Sequence, residues 1–149
     1  MVPIEQQEAL TRFYAGLDGT TDDFVRAFEQ ARRDFMGDDI EWVEPFGVLR
    51  GAEAVVQEMI VPHTQSAERL YFTAEHVFPT RGREACAAGR SGGRLKSGVE
   101  FEGRFVHIWE FDGARAVRMT AYNEDGIIEA AAAASAPADR HEGEAHAPA

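Results

Sequence analysis

A small set of side chains in this sequence has both the functional groups and the spacing for proton chemistry, beginning with Glu44. It precedes the proline in the run Asp-Asp-Ile-Glu-Trp-Val-Glu-Pro-Phe-Gly, in which Ile40, Trp42 and Glu44 alternate with Glu41 and Val43. Period-two alternation ended by a proline is a strand signal, so Trp42 and Glu44 share one face. A carboxyl group on an apolar wall has its charged form disfavoured by desolvation, which raises its proton affinity and suits it to general acid/base work. His107 lies in His-Ile-Trp-Glu-Phe, where the same alternation groups it with Trp109 and Phe111. On the following strand Met119, Ala121 and Asn123 form one face. A neutral imidazole donates one hydrogen bond or exchanges a proton. Cys86 is the single cysteine, set in Ala-Cys-Ala-Ala-Gly as a small apolar residue would be.

The elements that must hold these groups follow from periodicity. Ala9, Leu10, Phe13 and Leu17 predict a first helix over 5–17, ended at Gly19. Thr20 with Asp23 three residues on reads as a capping box, and Phe24, Val25, Phe28, Ala31 and Phe35 carry a second helix to Gly37. Ala52, Val55, Val56, Met59 and Ile60 predict a third helix stopped by Pro62, with His63 at its exit. Four long strands are expected over 69–78, 84–91, 99–111 and 115–123, joined by turn signals such as Asp112-Gly113. Hairpin-linked strands of that length imply a strongly curved antiparallel sheet. The stretch Gly-Arg-Ser-Gly-Gly-Arg-Leu-Lys-Ser-Gly precedes no helix pattern and reads as a mobile hairpin, not a phosphate cradle. After Gly126 a short helix gives way to an Ala, Pro, His and acid-rich tail, expected to be disordered from 135 because it can bury little.

Composition narrows the function classes. At 149 residues with 44% hydrophobic content, the chain supports one core. A formal charge of −11 repels phosphate backbones and anionic lipid, and Arg90, Arg94 and Lys96 form the only basic cluster, so neither a nucleic-acid nor a membrane partner is expected. There is no apolar run long enough to span a bilayer and no secretory signal pattern, so the expected location is cytoplasmic. The high Ala, Gly and Arg usage fits a bacterial source. No Walker loop, dinucleotide fingerprint or zinc-protease motif occurs, and His141 and His146 stand isolated in the tail, so no metal or cofactor is expected.

The short strand with Trp-Val-Glu-Pro-Phe-Gly, the helix opening Arg-Gly-Ala-Glu-Ala-Val and the final strands Phe-Val-His-Ile-Trp-Glu-Phe-Asp-Gly-Ala-Arg-Ala-Val-Arg-Met-Thr-Ala-Tyr-Asn together resemble the nuclear-transport-factor-2-like superfamily. Within it they look like the SnoaL-like and ketosteroid-isomerase-like branches, over roughly residues 5–130. The resemblance implies an α+β fold: a cone-shaped, curved antiparallel sheet wrapped around three N-terminal helices, forming one domain over 1–134. It also implies an apolar pocket in the usual small-molecule range of about 300 Å³ upward. Glu44, His107, Asn123 and Tyr14 would be its polar groups, and Trp42, Phe46, Met59, His63, Trp109 and Met119 its lining. Glu44 occupies the place of the isomerases' proton-shuttling aspartate, whereas His107 departs from their protonated acid. Either Phe13 or Tyr14 aligns with their oxyanion tyrosine, and helical spacing favours Phe13 as the inward residue. The implied activity is a cofactor-independent isomerase or cyclase acting on a hydrophobic small molecule, such as a polyketide-type intermediate. Glu44 would be the base, with His107 and Asn123 on the oxygen. Non-catalytic binding of a small molecule is the alternative, and a dehydratase built on His107 and Asn123 is a second. A homodimer through the outer sheet face is also implied.

Overall fold

Helix α1 (Ile4–Ala15) turns Ala9, Leu10, Phe13 and Tyr14 inward, a set that 3.6-residue periodicity places on one face. Helix α2 (Thr21–Asp34) begins at the expected cap. The Thr20 amide donates to Asp23 Oδ2 at 2.8 Å, and the Thr20 hydroxyl donates to the same oxygen at 3.1 Å. Phe24, Ala27, Phe28 and Ala31 then face the core. The computed structural model describes residues 1–124. The helix expected after Gly126 and the tail expected from 135 lie outside those residues.

The strands are β1 (Asp18–Gly19), β2 (Met36–Glu44), β3 (Gly47–Arg50), β4 (Ala67–Pro79), β5 (Glu84–Leu95), β6 (Glu100–Asp112) and β7 (Arg115–Asn123). They form one sheet in the order β1-β4-β5-β6-β7-β2-β3. All neighbours pair antiparallel except β2 and β7, which run parallel. The strand β3 was not expected; Glu44 pairs with Gly47 around Pro45 and Phe46, which makes a hairpin from a run too short to show a period. Bulges near Ala67–Arg69, Ala74–His76 and Glu110–Phe111 bend the long strands, and the sheet curls over the helices without closing.

Two further features differ from the sequence reading. Pro62 does not end the third helix: α3 (Ala52–Val55) continues through a π turn (Val56–Ile60) into α4 (Val61–Gln65). The wider π turn sets the helix anew, so Pro62 sits in the first turn of α4, where its missing N–H does least harm. The Gly-rich stretch is not a loose hairpin either, because Arg90–Leu95 is the second half of β5. Its glycines allow close backbone approach. A Cβ at Gly89 would collide with the Thr73 carbonyl, and one at Gly92 with the Phe101 carbonyl. Arg90 pairs with Glu75 and Glu102, and Arg94 with Glu68 and Glu100, so the local basic charge is matched by acids.

The core is aromatic. Phe13 packs edge-on against Tyr14, Phe28, Phe35 and Trp109, and Trp109 packs edge-on against Trp42. Small residues on β5 face the large ones on β6, Ala85 opposite Trp109 and Ala87 opposite His107, which leaves room for the rings. Among the described residues, no helix is long and apolar enough to cross a membrane.

Candidate small-molecule site

A cavity of about 90 Å³ lies where the open end of the sheet meets the third helix. Its walls are mostly apolar: Phe24 from α2, Met59 and Ile60 from the π turn, Leu70 and Phe72 from β4, and Phe101 from β6. Polar groups reach it from the C-terminal ends of β2 and β7 as Glu44 and Asn123, from β5 as Ser91, and from α4 as His63 and Thr64. At roughly 10–15 Å³ per water-sized group, the space holds on the order of six to nine heavy atoms, about one six-membered ring. The pocket is thus smaller than the resemblance implied, because the aromatic core fills the inner part of the cone.

Glu44 is 9% exposed. Its Oε2 accepts a hydrogen bond from Trp42 Nε1 at 2.8 Å, and Oε1 accepts a longer one from Asn123 Nδ2 at 3.4 Å. Burial raises its proton affinity above the ordinary carboxylate value, and the bonds from Trp42 and Asn123 offset only part of that. The Trp42–Glu44 contact follows from strand alternation, since residues i and i+2 lie on one face. Asn123 uses its amide N–H₂ on Glu44, while its Oδ1 is buried without a partner among the described residues. Oδ1 is therefore free to accept, while one of the two Nδ2 hydrogens is committed to Glu44.

His107, Trp109 and Tyr14 form a second polar group deeper in the molecule. Tyr14 Oη lies 2.6 Å from His107 Nδ1 and accepts from Trp109 Nε1 at 2.9 Å. An indole nitrogen can only donate, so Trp109 donates to Tyr14 Oη, and the imidazole tautomer sets which partner donates in the Tyr14–His107 bond. Burial raises the Tyr14 phenol well above its usual value and pushes His107 down to about 3, so both stay neutral near pH 7. His107 is not on the cavity wall. Its ring sits between Ala87 and Ala121 and packs against Phe105 and against Phe72, which is on the wall.

The structure thus brings Glu44, Asn123, Met59 and His63 to one cavity. Trp42, Trp109 and Met119 are core residues behind it, at 3%, 0% and 0% exposure. Phe46 lies outside the wall in the β2–β3 turn, half exposed, with its ring centroid 6.4 Å from that of His63. Phe13 is buried as expected, but Tyr14 is buried too and makes the polar contacts. Ser91 was missed. Its signal was present, because the outward Arg90 and Arg94 make Ser91 an inward residue of β5. Among the described residues, no three His, Cys, Asp or Glu side chains gather as a metal site would require.

No protein-family model matches this chain, and no curated protein matches it. Solved structures do. An NTF2-like protein from Burkholderia thailandensis superposes with a TM-score of 0.68 at 19% identity, covering 86% of this chain and 97% of that one. A protein from Jannaschia described as a SnoaL-like polyketide cyclase gives a TM-score of 0.68 at 18% identity, with 92% and 97% covered. TerC, co-crystallised with polyporic acid, gives 0.67 at 20% identity, with 85% and 96% covered. At these identities the likeness establishes the fold, and the chain has the NTF2-like fold.

Proposed function

We propose that this chain uses its NTF2-like cavity for cofactor-independent proton transfer on a hydrophobic carbonyl compound, as an isomerase or cyclase, with Glu44 as the base. The observation that carries this reading is the Glu44 carboxyl group, buried in an apolar cavity with its proton affinity raised. A base of that kind takes a proton from a carbon next to a carbonyl, and returning it to another carbon gives an isomer without metal or redox cofactor. The unpaired Asn123 Oδ1 favours a molecule that also brings a hydroxyl or amide donor. The names of the Jannaschia protein and of the TerC complex support a small organic molecule, of polyketide type among the candidates. Only its reacting ring need enter the cavity.

The test is Glu44→Gln, which keeps shape and hydrogen bonding. An enzyme should lose about 10²-fold or more in kcat. Retention of the wild-type rate would refute the role of Glu44. Non-catalytic binding is the second reading, favoured by the mostly apolar surface of the wall; there, Glu44→Gln would leave affinity nearly unchanged. The dehydratase reading is weaker, because His107 is one residue layer behind the wall. We also propose a homodimer through the outer sheet face, which exposes Val48, Phe78, Val106 and Tyr122.

A further inference from the structure

Glu44 alone leaves unanswered which group exchanges a proton with the substrate oxygen, since the Asn123 amide is neither an acid nor a base near neutral pH and His107 is packed against Phe72, off the wall. Of the remaining polar residues on the wall, Ser91 offers only a hydroxyl, too weak an acid to give up a proton near neutral pH, and Thr64 is committed: its hydroxyl donates to the Ile60 carbonyl at 2.7 Å and shares a 2.7 Å bond with Thr21. His63 is different. Its Nδ1 lies 2.6 Å from the Met59 carbonyl oxygen. A carbonyl can only accept, so Nδ1 carries a hydrogen, and Nε2 has no protein partner among the described residues. The surrounding helix holds this orientation. The π turn and Pro62 disturb the regular backbone ladder, and side chains from the next turn bond to its carbonyls, His63 to Met59, Thr64 to Ile60 and Ser66 to His63. Phe46, two residues beyond Glu44, packs near the His63 ring and brings the end of β2 to the same side of the cavity.

We infer that His63 is the second catalytic residue of this cavity, exchanging a proton through Nε2 with the substrate oxygen while Glu44 exchanges one with carbon. The inference rests on the proton-transfer reading of Glu44. In the forward step the Glu44 carboxylate takes the proton from the α-carbon, and the C–H electron pair becomes the C=C bond of the enol. The carbonyl π pair moves to oxygen and takes the proton of the His63 imidazolium at Nε2. Neutral His63 still donates Nδ1–H to Met59, so the same backbone anchor serves both protonation states. Collapse of the enol returns the oxygen proton to His63, and Glu44 delivers its proton to a different carbon. Both residues regain their starting states and no co-reactant is consumed.

Two measurements test this. The first follows conversion of 3-cyclohexen-1-one, an enolisable ring of seven heavy atoms, to its conjugated isomer. His63→Gln should lower kcat about 10²-fold with little change in KM, and Glu44→Gln should abolish turnover. A wild-type rate in His63→Gln alongside a dead Glu44→Gln would overturn the role of His63 while leaving that of Glu44 intact; wild-type rates in both would remove both. The second needs no turnover and is a long-range ¹H–¹⁵N NMR correlation of the imidazoles. Neutral His63 should show the Nδ1–H form, with an Nε2 resonance that shifts when phenol, a one-ring enol mimic, saturates the signals of Met59 and Ser91. An Nε2–H form of His63, or an Nε2 resonance unmoved while those wall signals shift, would overturn the inference. Wall signals that ignore phenol would instead count against the cavity as a ligand site, and so against both readings.

Discussion

At the scale of single residues, burial sets two titrations whose signs differ. The Glu44 proton affinity is higher in the folded than in the unfolded chain, so its contribution to stability is full below the unfolded value and is lost as pH rises through the folded one. Glu44→Gln cannot ionise and should therefore be more stable than wild type at neutral pH, with the gain vanishing in acid; urea unfolding at a series of pH values reads this directly. His107 is the opposite case. Its folded value near 3 lies below the usual 6.5, so the stability it contributes is present above 6.5 and is lost as pH falls toward 3. At about 1.4 kcal/mol per unit, that amounts to several kcal/mol. Replacing His107 with Leu and Tyr14 with Phe together should flatten the acid limb of the stability curve. Tyr14→Phe alone removes the partner of both His107 and Trp109, at a cost of about 1–3 kcal/mol for each group left unsatisfied. Glu44 and Asn123 were legible as inward, cavity-facing residues because alternation on short, well-marked strands fixes which face a side chain takes. The distance of His107 from the wall was not legible, since alternation gives a face but not a depth, and the depth depends on Phe72 from another strand.

At the scale of elements, the long strands could be read to within a few residues because aromatic and β-branched residues run through β6 and β7 up to clear turn signals such as Asp112-Gly113. The third helix could not. A proline after an amphipathic run is ordinarily a stop, and nothing local marks a π turn that lets the helix pass it. That passage places His63 and Thr64 on the wall, and with them the His63 contact to Met59. The glycines of β5 carry a prediction of their own. Gly89→Ala would press a methyl into the Thr73 carbonyl across the β4–β5 pair, so it should destabilise the fold by more than the ordinary Gly-to-Ala difference of about 1 kcal/mol, and with reversed sign. Thermal unfolding measures it. A wild-type midpoint would mean that β4 and β5 are farther apart than described.

At the scale of the whole molecule, the convex face of the sheet carries a row, apolar but for Thr120, that crosses strand after strand in register: Val48, Val43, Thr120, Ile108, Cys86 and Phe78. Val106 and Tyr122 pair alongside it. Charged side chains flank the row, among them Arg118 between Glu41 and Glu110. A face of this kind suits a self-complementary contact between two copies. Val106→Glu with Tyr122→Glu should halve the mass seen by light scattering without unfolding the chain, and a monomeric wild type would contradict the proposed dimer. The fold itself was the most legible part of this protein, because curvature, hairpins and the helix pair leave periodic marks over the described length. The chemistry is less legible because it depends on how a few side chains are desolvated by residues distant in sequence.

Glu44 carries the account, and its titration is the direct test. Carbon-13 NMR of the side-chain carboxyl, assigned with Glu44→Gln, should give a value clearly above the ordinary 4.5. The value should rise further in Trp42→Phe, which removes a hydrogen bond to the carboxylate. A Glu44 that titrates at or below 4.5 would place its carboxylate in water or in strong hydrogen bonds, and would contradict its role as the desolvated base of the cavity.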